Sequence, residues 1–340
     1  MGDHMSTLRL VEDAWILPAA GGVLVGKGTE LGYRLRGGAS LFDLWKQVQR
    51  LLDERPRERD ELVTALDGIV PPGLVREALA QFMRLGLVVE ATDARTRTPE
   101  EWTALRQHGA WPLFAGRAGD PGAYLDRLTA ARVTLVGSAE VVPALRASLA
   151  AHGLAPRHVV ALERGVALDD RELAGLVGEA SFVVAAASDA IARLAWFARV
   201  GEAAHAARKP WLCGHLDGER AVVGPLIVPR ETGCFRCLEL REENHLPNLA
   251  EHRELRARVR EVRLSADRHP APFATSLLAQ LLTAEAVRWL SRVSLPRSYG
   301  ALVELDLVTL ETTPHALLRV PLCDLCGPTV ERPFRLSWNV

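Results

Sequence analysis

Four of the five cysteines fall into two matched pairs, Cys234-Phe235-Arg236-Cys237 and Cys323-Asp324-Leu325-Cys326. Two residues between the members of a pair let both thiolates of one turn face the same ion, and two such pairs supply the four sulfurs of a closed tetrahedral zinc site. The pattern constrains the fold strongly, because residues 238–322 must leave the first pair and return to it. Four unrelated buried or redox-active thiols are the competing reading, and they have no reason to share one spacing. Four thiolates leave no open coordination position, so Zn2+ is expected to be structural rather than catalytic.

A chain of 340 residues with 48% hydrophobic content can build two domains with real cores. A formal net charge of −1 argues against a general binder of nucleic acid or of membrane surfaces, which needs a local excess of Lys and Arg. No apolar run reaches the length of a membrane span, and no signal peptide opens the chain. Residues 1–5, Met-Gly-Asp-His-Met, read as a cloning remnant before a native start at Met5. Five cysteines without a disulfide framework fit a reducing, cytoplasmic location.

Residues 6–91 read as one small α+β module. Three short alternating runs, 14–17, 22–25 and 31–36, are broken by glycines and predict an antiparallel meander. Ser40 then caps an amphipathic helix carrying Leu41, Leu44, Trp45, Val48, Leu51 and Leu52. A shorter helix follows over 58–66, and Pro71-Pro72 opens a third with Leu74, Val75, Ala78, Leu79 and Phe82 inward. Gly86 stops it, and Leu87-Val88-Val89 extends as a closing strand. The order is that of a winged-helix-like module. Such modules often bind DNA, but the third helix offers only Arg76 and Arg84 as basic groups, too few for reading bases and phosphates. The competing use is peptide capture. The third strand, with Leu31, Tyr33, Arg34, Leu35 and Arg36, could accept an added strand by backbone pairing, while Leu74, Val75, Arg76, Ala78 and Gln81 of the third helix line a groove. Arg34, Arg36 and Arg76 would favour an acidic peptide.

Residues 92–131, rich in Gly and Pro, read as a linker with short helices. From 132 onward, buried strands at 132–138, 157–162, 181–186, 210–214 and 221–228 alternate with helices at 141–152, 170–177 and 190–207. That alternation predicts a Rossmann-like, mainly parallel, doubly wound sheet. A charged helix is expected after the first cysteine pair through Arg263, and an apolar one over 272–293. A hairpin over 301–307 and 309–320 then leads into Cys323. The first strand-to-helix turn, Gly137-Ser138-Ala139-Glu140-Val141-Val142, holds the first glycine of a dinucleotide fingerprint and neither of the later ones, and Glu140 adds a repelling charge. No nucleotide is expected on this chain. His215, His245 and His315 sit beside no matched nucleophile or carboxylate pattern and are expected to be structural or at the surface.

The Rossmann-like run, Gly224-Pro225-Leu226-Ile227-Val228-Pro229 followed by Gly233-Cys234-Phe235-Arg236-Cys237, and the late Cys323/Cys326 pair resemble the ThiF-like superfamily related to ubiquitin-activating enzymes. With the N-terminal module in front, residues 132–340 resemble the ThiF-like part of the ocin-ThiF-like partner proteins of azol(in)e and thiopeptide biosynthesis. The resemblance implies a non-catalytic subunit. It would bind the leader of a ribosomally made precursor peptide and present the core to a separate YcaO cyclodehydratase, which uses ATP to turn Cys, Ser or Thr into azolines. It also implies a homodimer, as such relatives often form. Members that adenylate carry a fuller glycine turn and an acidic residue ending the second strand; here Leu162-Glu163-Arg164-Gly165 matches that position imperfectly. The alternatives left open are an ATP-dependent adenylating enzyme acting on a peptide and a DNA-binding regulator.

Overall fold

The computed structural model describes residues 7–11, 14–27, 30–36, 39–91, 98, 100, 121–163, 169–259 and 270–327. The chain divides into two compact units, Met1–Leu128 and Thr129–Val340.

In the first unit, β2 (Ala14–Ala19), β3 (Gly22–Lys27) and β4 (Glu30–Arg36) form the expected meander, with β4 on its edge. Alternation sends Ile16, Val23, Val25 and Leu35 into the core. Gly22 is required there: its φ is +157°, and a Cβ would lie 1.9 Å from the carbonyl oxygen of Leu35. The helices α1 (Ala39–Glu54), α2 (Arg59–Ala65) and α3 (Pro72–Arg84) follow. Leu44, Trp45, Val48, Leu51 and Leu52 of α1 are buried, and Trp45 meets Phe82 of α3 edge-on at 5.0 Å. The closing strand β6 (Val88–Ala91) does not join the meander. It pairs with β1 (Thr7–Leu10), which also pairs with the short β5 (Arg57–Glu58), giving a second sheet. Four residues, Thr7-Leu8-Arg9-Leu10, are too short a run for periodicity to mark, although Leu8 and Leu10 alternate inward as a strand requires. The helix α4 (Pro121–Thr129) falls within the expected linker.

The second unit is a three-layer α/β body around a seven-stranded sheet. Its elements are β7 (Val133–Ser138), α5 (Val142–Ala151), β8 (His158–Leu162), α6 (Asp170–Glu179), β9 (Phe182–Ala187), α7 (Ala190–Ala206), β10 (Trp211–Asp217), β11 (Arg220–Ile227), α8 (Phe235–Glu243), α9 (Leu249–Arg258), α10 (Pro272–Ser291), β12 (Ala301–Asp306) and β13 (Thr312–Ala316). The order is β13-β12-β11-β10-β9-β7-β8. Strands β8, β7, β9 and β10 are parallel, as expected for strands joined by helices. The sheet then continues antiparallel, because Gly218-Glu219 is a two-residue turn pairing Asp217 with Arg220 and can only make a hairpin. Strand β10 separates the helical layers. A Cβ on Gly214 would touch Leu278 and Leu282 of α10, whereas Trp211 and His215 meet Phe197 of α7.

The single charged helix expected after the first cysteine pair is two helices, α8 and α9, separated around Pro247; residues 260–263 lie outside the described residues. Among the described residues no helix is long and apolar enough to cross a membrane.

Candidate metal centre and candidate binding edge

The two cysteine pairs meet. Cys234 is the N-cap of α8 and Cys237 lies in its first turn, where helix amides favour a thiolate. Cys323 and Cys326 arrive on the loop after β13. The Sγ–Sγ separations are 3.7 Å for Cys234–Cys237, 3.6 Å for Cys234–Cys323 and 3.4 Å for Cys237–Cys326. All four sulfurs lie within 4.8 Å of one another. Zn–S bonds of ~2.3 Å in a regular tetrahedron imply edges of ~3.8 Å. The four donors therefore fit a single zinc ion, and all five cysteines are free of disulfides. Burial pushes the Cys234 and Cys237 thiols up. Burial also opposes ionisation of Cys326, but hydrogen bonds from Cys234 and Cys237 outweigh it and hold that thiol below its ordinary value. A metal ion bound by four thiolates enters the site with release of protons.

The surroundings hold this geometry. The N–H of Val320 donates to Cys237 Sγ at 3.3 Å, and Arg319 Nη2 donates to the carbonyl of Cys326 at 2.7 Å. Arg236, between the first two cysteines, donates to Asp324, between the second two, at 3.2 Å. The four cysteines belong to a buried cluster with Trp196, Phe197, Trp211, Phe235 and Leu317.

Sequence reasoning missed the ionic network beside this centre. Glu239 and Glu243 are buried one turn apart on α8. Arg236 reaches them at 3.3 and 3.2 Å, Arg253 reaches Glu243 at 3.2 Å, and Arg256 pairs with Glu243 at 2.8 Å and also with Glu239. None of α9's own residues is fully buried, and Arg253 and Arg256 tie it to α8 by charge. The signal in the sequence was an i, i+4 pair of acids on a helix followed by arginines three apart, which alone reads as a solvated surface. Phe235, Ala198 and Leu325 line a neighbouring cleft of about 270 Å³ with Arg236, Glu239 and Arg256.

At the sheet's switch point, β8 and β9 flank β7 and the strand order reverses, the place where doubly wound sheets bind ligands. Here several of the turn's polar groups bond to the protein itself. The N–H of Ala139 donates to the carbonyl of Leu162 at 3.0 Å, and that of Val141 to Ser138 at 2.9 Å. Ser138 Oγ accepts the N–H of Ser188 at 3.0 Å, tying the ends of β7 and β9 together. Pro143 removes a further amide from the first turn of α5. Gly137 is explained by packing, since a Cβ there would lie 2.9 Å from both the Ala186 carbonyl oxygen and Val142 Cγ2.

In the first unit, Tyr33, Arg34 and Arg36 are exposed on the edge strand β4 and Leu35 is buried. Leu31 pairs with Gly26 through the backbone. On α3, Leu74 is 55% exposed and Arg76 is exposed with Asp60 at 3.7 Å. Gln81 is half-buried, while Val75 and Ala78 belong to the same core cluster as Leu35. Of the three histidines singled out, His215 is buried against Phe197, and burial holds it well below the ordinary histidine value. His245 and His315 are exposed.

No protein-family model and no curated protein sequence matches the chain. Solved structures do. A structure of the heterocyclase TruD is 21% identical with a TM-score of 0.60, covering 95% of this chain and 43% of its own. A heterocyclase in complex with substrate and cofactor is 20% identical with a TM-score of 0.59, covering 95% and 40%. Escherichia coli MccB with AMPCPP and MccA is 16% identical with a TM-score of 0.54, covering 94% and 99%. The fold of this chain is the one these structures share. This chain spans about two fifths of the two heterocyclases and nearly all of MccB.

Proposed function

We propose that this chain is a non-catalytic, leader-peptide-binding subunit that delivers a ribosomal precursor peptide to a separate YcaO cyclodehydratase in the cytoplasm for azoline formation. The observation that carries the reading is the switch point. Two amides of the first strand-to-helix turn, those of Ala139 and Val141, already donate to Leu162 and Ser138, which supports binding rather than nucleotide chemistry. Two further features support it. The likeness to the heterocyclase TruD covers 95% of this chain but 43% of TruD, which is consistent with a recognition part acting beside a separate cyclising part. Among the described residues no strand pairs with the outer edge of β4, which carries the exposed Tyr33, Arg34 and Arg36, and α3 of the same unit presents the exposed Leu74 and Arg76 and the half-buried Gln81.

In this reading the four-cysteine centre holds Zn2+ and clasps the loop after β13 to α8, fixing architecture. Docking the leader raises the effective concentration of the core peptide at the enzyme, toward millimolar for a short flexible link, without any catalytic group from this chain. The test is a pull-down of precursor leader and YcaO protein, with leader affinity measured by fluorescence polarisation. Arg34→Glu and Arg76→Glu each weaken binding under this reading; unchanged affinity for both refutes the proposed groove.

A second reading, an ATP-dependent adenylating enzyme acting on a peptide, draws on the nearly end-to-end match to MccB. Pyrophosphate release by this chain with ATP and peptide alone would establish it.

A further inference from the structure

We infer that β4 selects peptides whose acidic side chains recur at every second position. The inference rests on the peptide-recognition reading above and adds a rule about the peptide's own sequence.

The register of the meander shifts between Val25 and Gly26, so that Gly26 opposes Leu31, Val25 opposes Tyr33, and Gly32 is the extra residue. Beyond this bulge, residues 33–36 form a regular edge template. Their side chains alternate. Tyr33 and Leu35 share the face of Val25 and Val23; Leu35 is buried there, whereas Tyr33 is 62% exposed. Arg34 and Arg36 point to the other face, where Arg34 ends a cross-strand row with the half-buried Leu24 and the exposed Leu17. Among the described residues no carboxylate pairs with either arginine. Arg34 donates one N–H to the Ala20 carbonyl at 3.0 Å, and the rest of its fork faces solvent.

A strand added to this edge would lie ~4.8 Å from β4 with its own side chains alternating in step. The two arginines stand ~6.7 Å apart along the strand, which is the spacing of side chains two residues apart in the added strand. Carboxylates at positions i and i+2 therefore face both arginines at once. The residue between them meets Leu35, and the next one on that face meets Tyr33, so both intervening positions favour apolar groups. Carboxylates at i and i+1, or at i and i+3, would place one charge on the apolar face.

The experiment uses the full chain and fluorescein-labelled twelve-residue peptides of one composition, a Thr/Val frame with two Glu and one Leu, that differ only in Glu spacing. Polarisation at low salt is expected to show the i, i+2 peptide binding about fivefold more tightly than the others, as one further facing charge pair worth ~1 kcal/mol would supply. Arg34→Ala/Arg36→Ala abolishes the difference, and Arg34→Glu/Arg36→Glu transfers the preference to Lys at i, i+2. These side chains are exposed, and circular dichroism verifies that the variants fold. Equal affinity for all spacings overturns the rule. If backbone N-methylation of the peptide then abolishes binding, edge pairing survives without the rule. If no peptide binds, or N-methylation has no effect, edge pairing fails with it.

Discussion

Arg256→Met removes a guanidinium that pairs with both Glu239 and Glu243, while a side chain of similar length keeps most of the packing. Glu239 and Glu243 are 7% and 6% exposed, so each loses a partner where water cannot replace it fully. Breaking a buried pair costs about 3–5 kcal/mol. Arg236 still reaches both carboxylates and Arg256 itself is 18% exposed, so about 2–3 kcal/mol is expected here. With a urea slope of about 2–3 kcal/mol/M for a unit of this size, the unfolding midpoint falls by about 1 M. The assay is urea unfolding followed by tryptophan fluorescence with zinc present, because Trp196 and Trp211 share the core cluster of the cysteines.

The direction with pH follows from the two carboxylates. Burial holds Glu239 above the ordinary glutamate value against the pull of Arg256 and Arg236. Its charging therefore subtracts stability as the pH rises from the unfolded value through the folded one, and removing Arg256 makes that subtraction larger. Glu243 is held below its ordinary value. Burial opposes this, but bonds from Arg253 and Arg236 and the charges of Arg236 and Arg256 outweigh it. Its contribution is present above the unfolded value and is lost as the pH falls through the folded one. The cost of Arg256→Met should thus be greatest at neutral pH and shrink toward the ordinary glutamate range. Glu239→Gln mimics the protonated form without acidifying the metal centre, so Arg256→Met should cost at least 1 kcal/mol less in that background, about the coupling of a direct pair. Additive costs would refute the reasoning.

Purified wild-type protein should carry one zinc ion per chain by metal analysis, and Cys323→Ser should lose it and destabilise the second unit; a metal-free sample of equal stability refutes the structural role. Gly22→Ala places a methyl group where the Leu35 carbonyl oxygen stands, so β4 must shift away from β3. It should lower the melting temperature and weaken peptide binding together, and unaltered values for both would contradict the strand assignment. Isothermal titration with Mg-ATP should show no binding tighter than millimolar, since the Ala139 and Val141 amides are engaged and the turn lacks the later glycines; micromolar affinity would overturn that account.

Some of this molecule could be read from its residues alone. The cysteine pairs announced their own meeting because metal-ligand spacing is a local, two-residue signal with one geometric solution. The alternation of strands and helices from Val133 to Ala206 likewise gave the parallel half of the sheet. What escaped depends on partners distant in sequence. Strand β1 is four residues long, and only its pairing with β6 makes it a strand. Val75 and Ala78 lie on the same helix as Leu74, and only the packing decides that they join Leu35 in the core while Leu74 faces outward. The burial of Glu239 and Glu243 was invisible because charged residues on an isolated helix look solvated until another helix covers them. The switch-point turn was legible only in part: the missing glycines showed in the sequence, but the Ser138–Ser188 tie did not.

The central claim is that this chain binds and delivers a peptide while another protein performs the chemistry. Mass spectrometry of the precursor peptide incubated with ATP and the YcaO enzyme, with and without this chain, tests it most directly. The account predicts loss of one water per ring only when this chain is present, with slower formation for Arg34→Glu and no pyrophosphate released by this chain alone. Full-rate azoline formation without it, or adenylation of the peptide by this chain acting alone, would contradict the account.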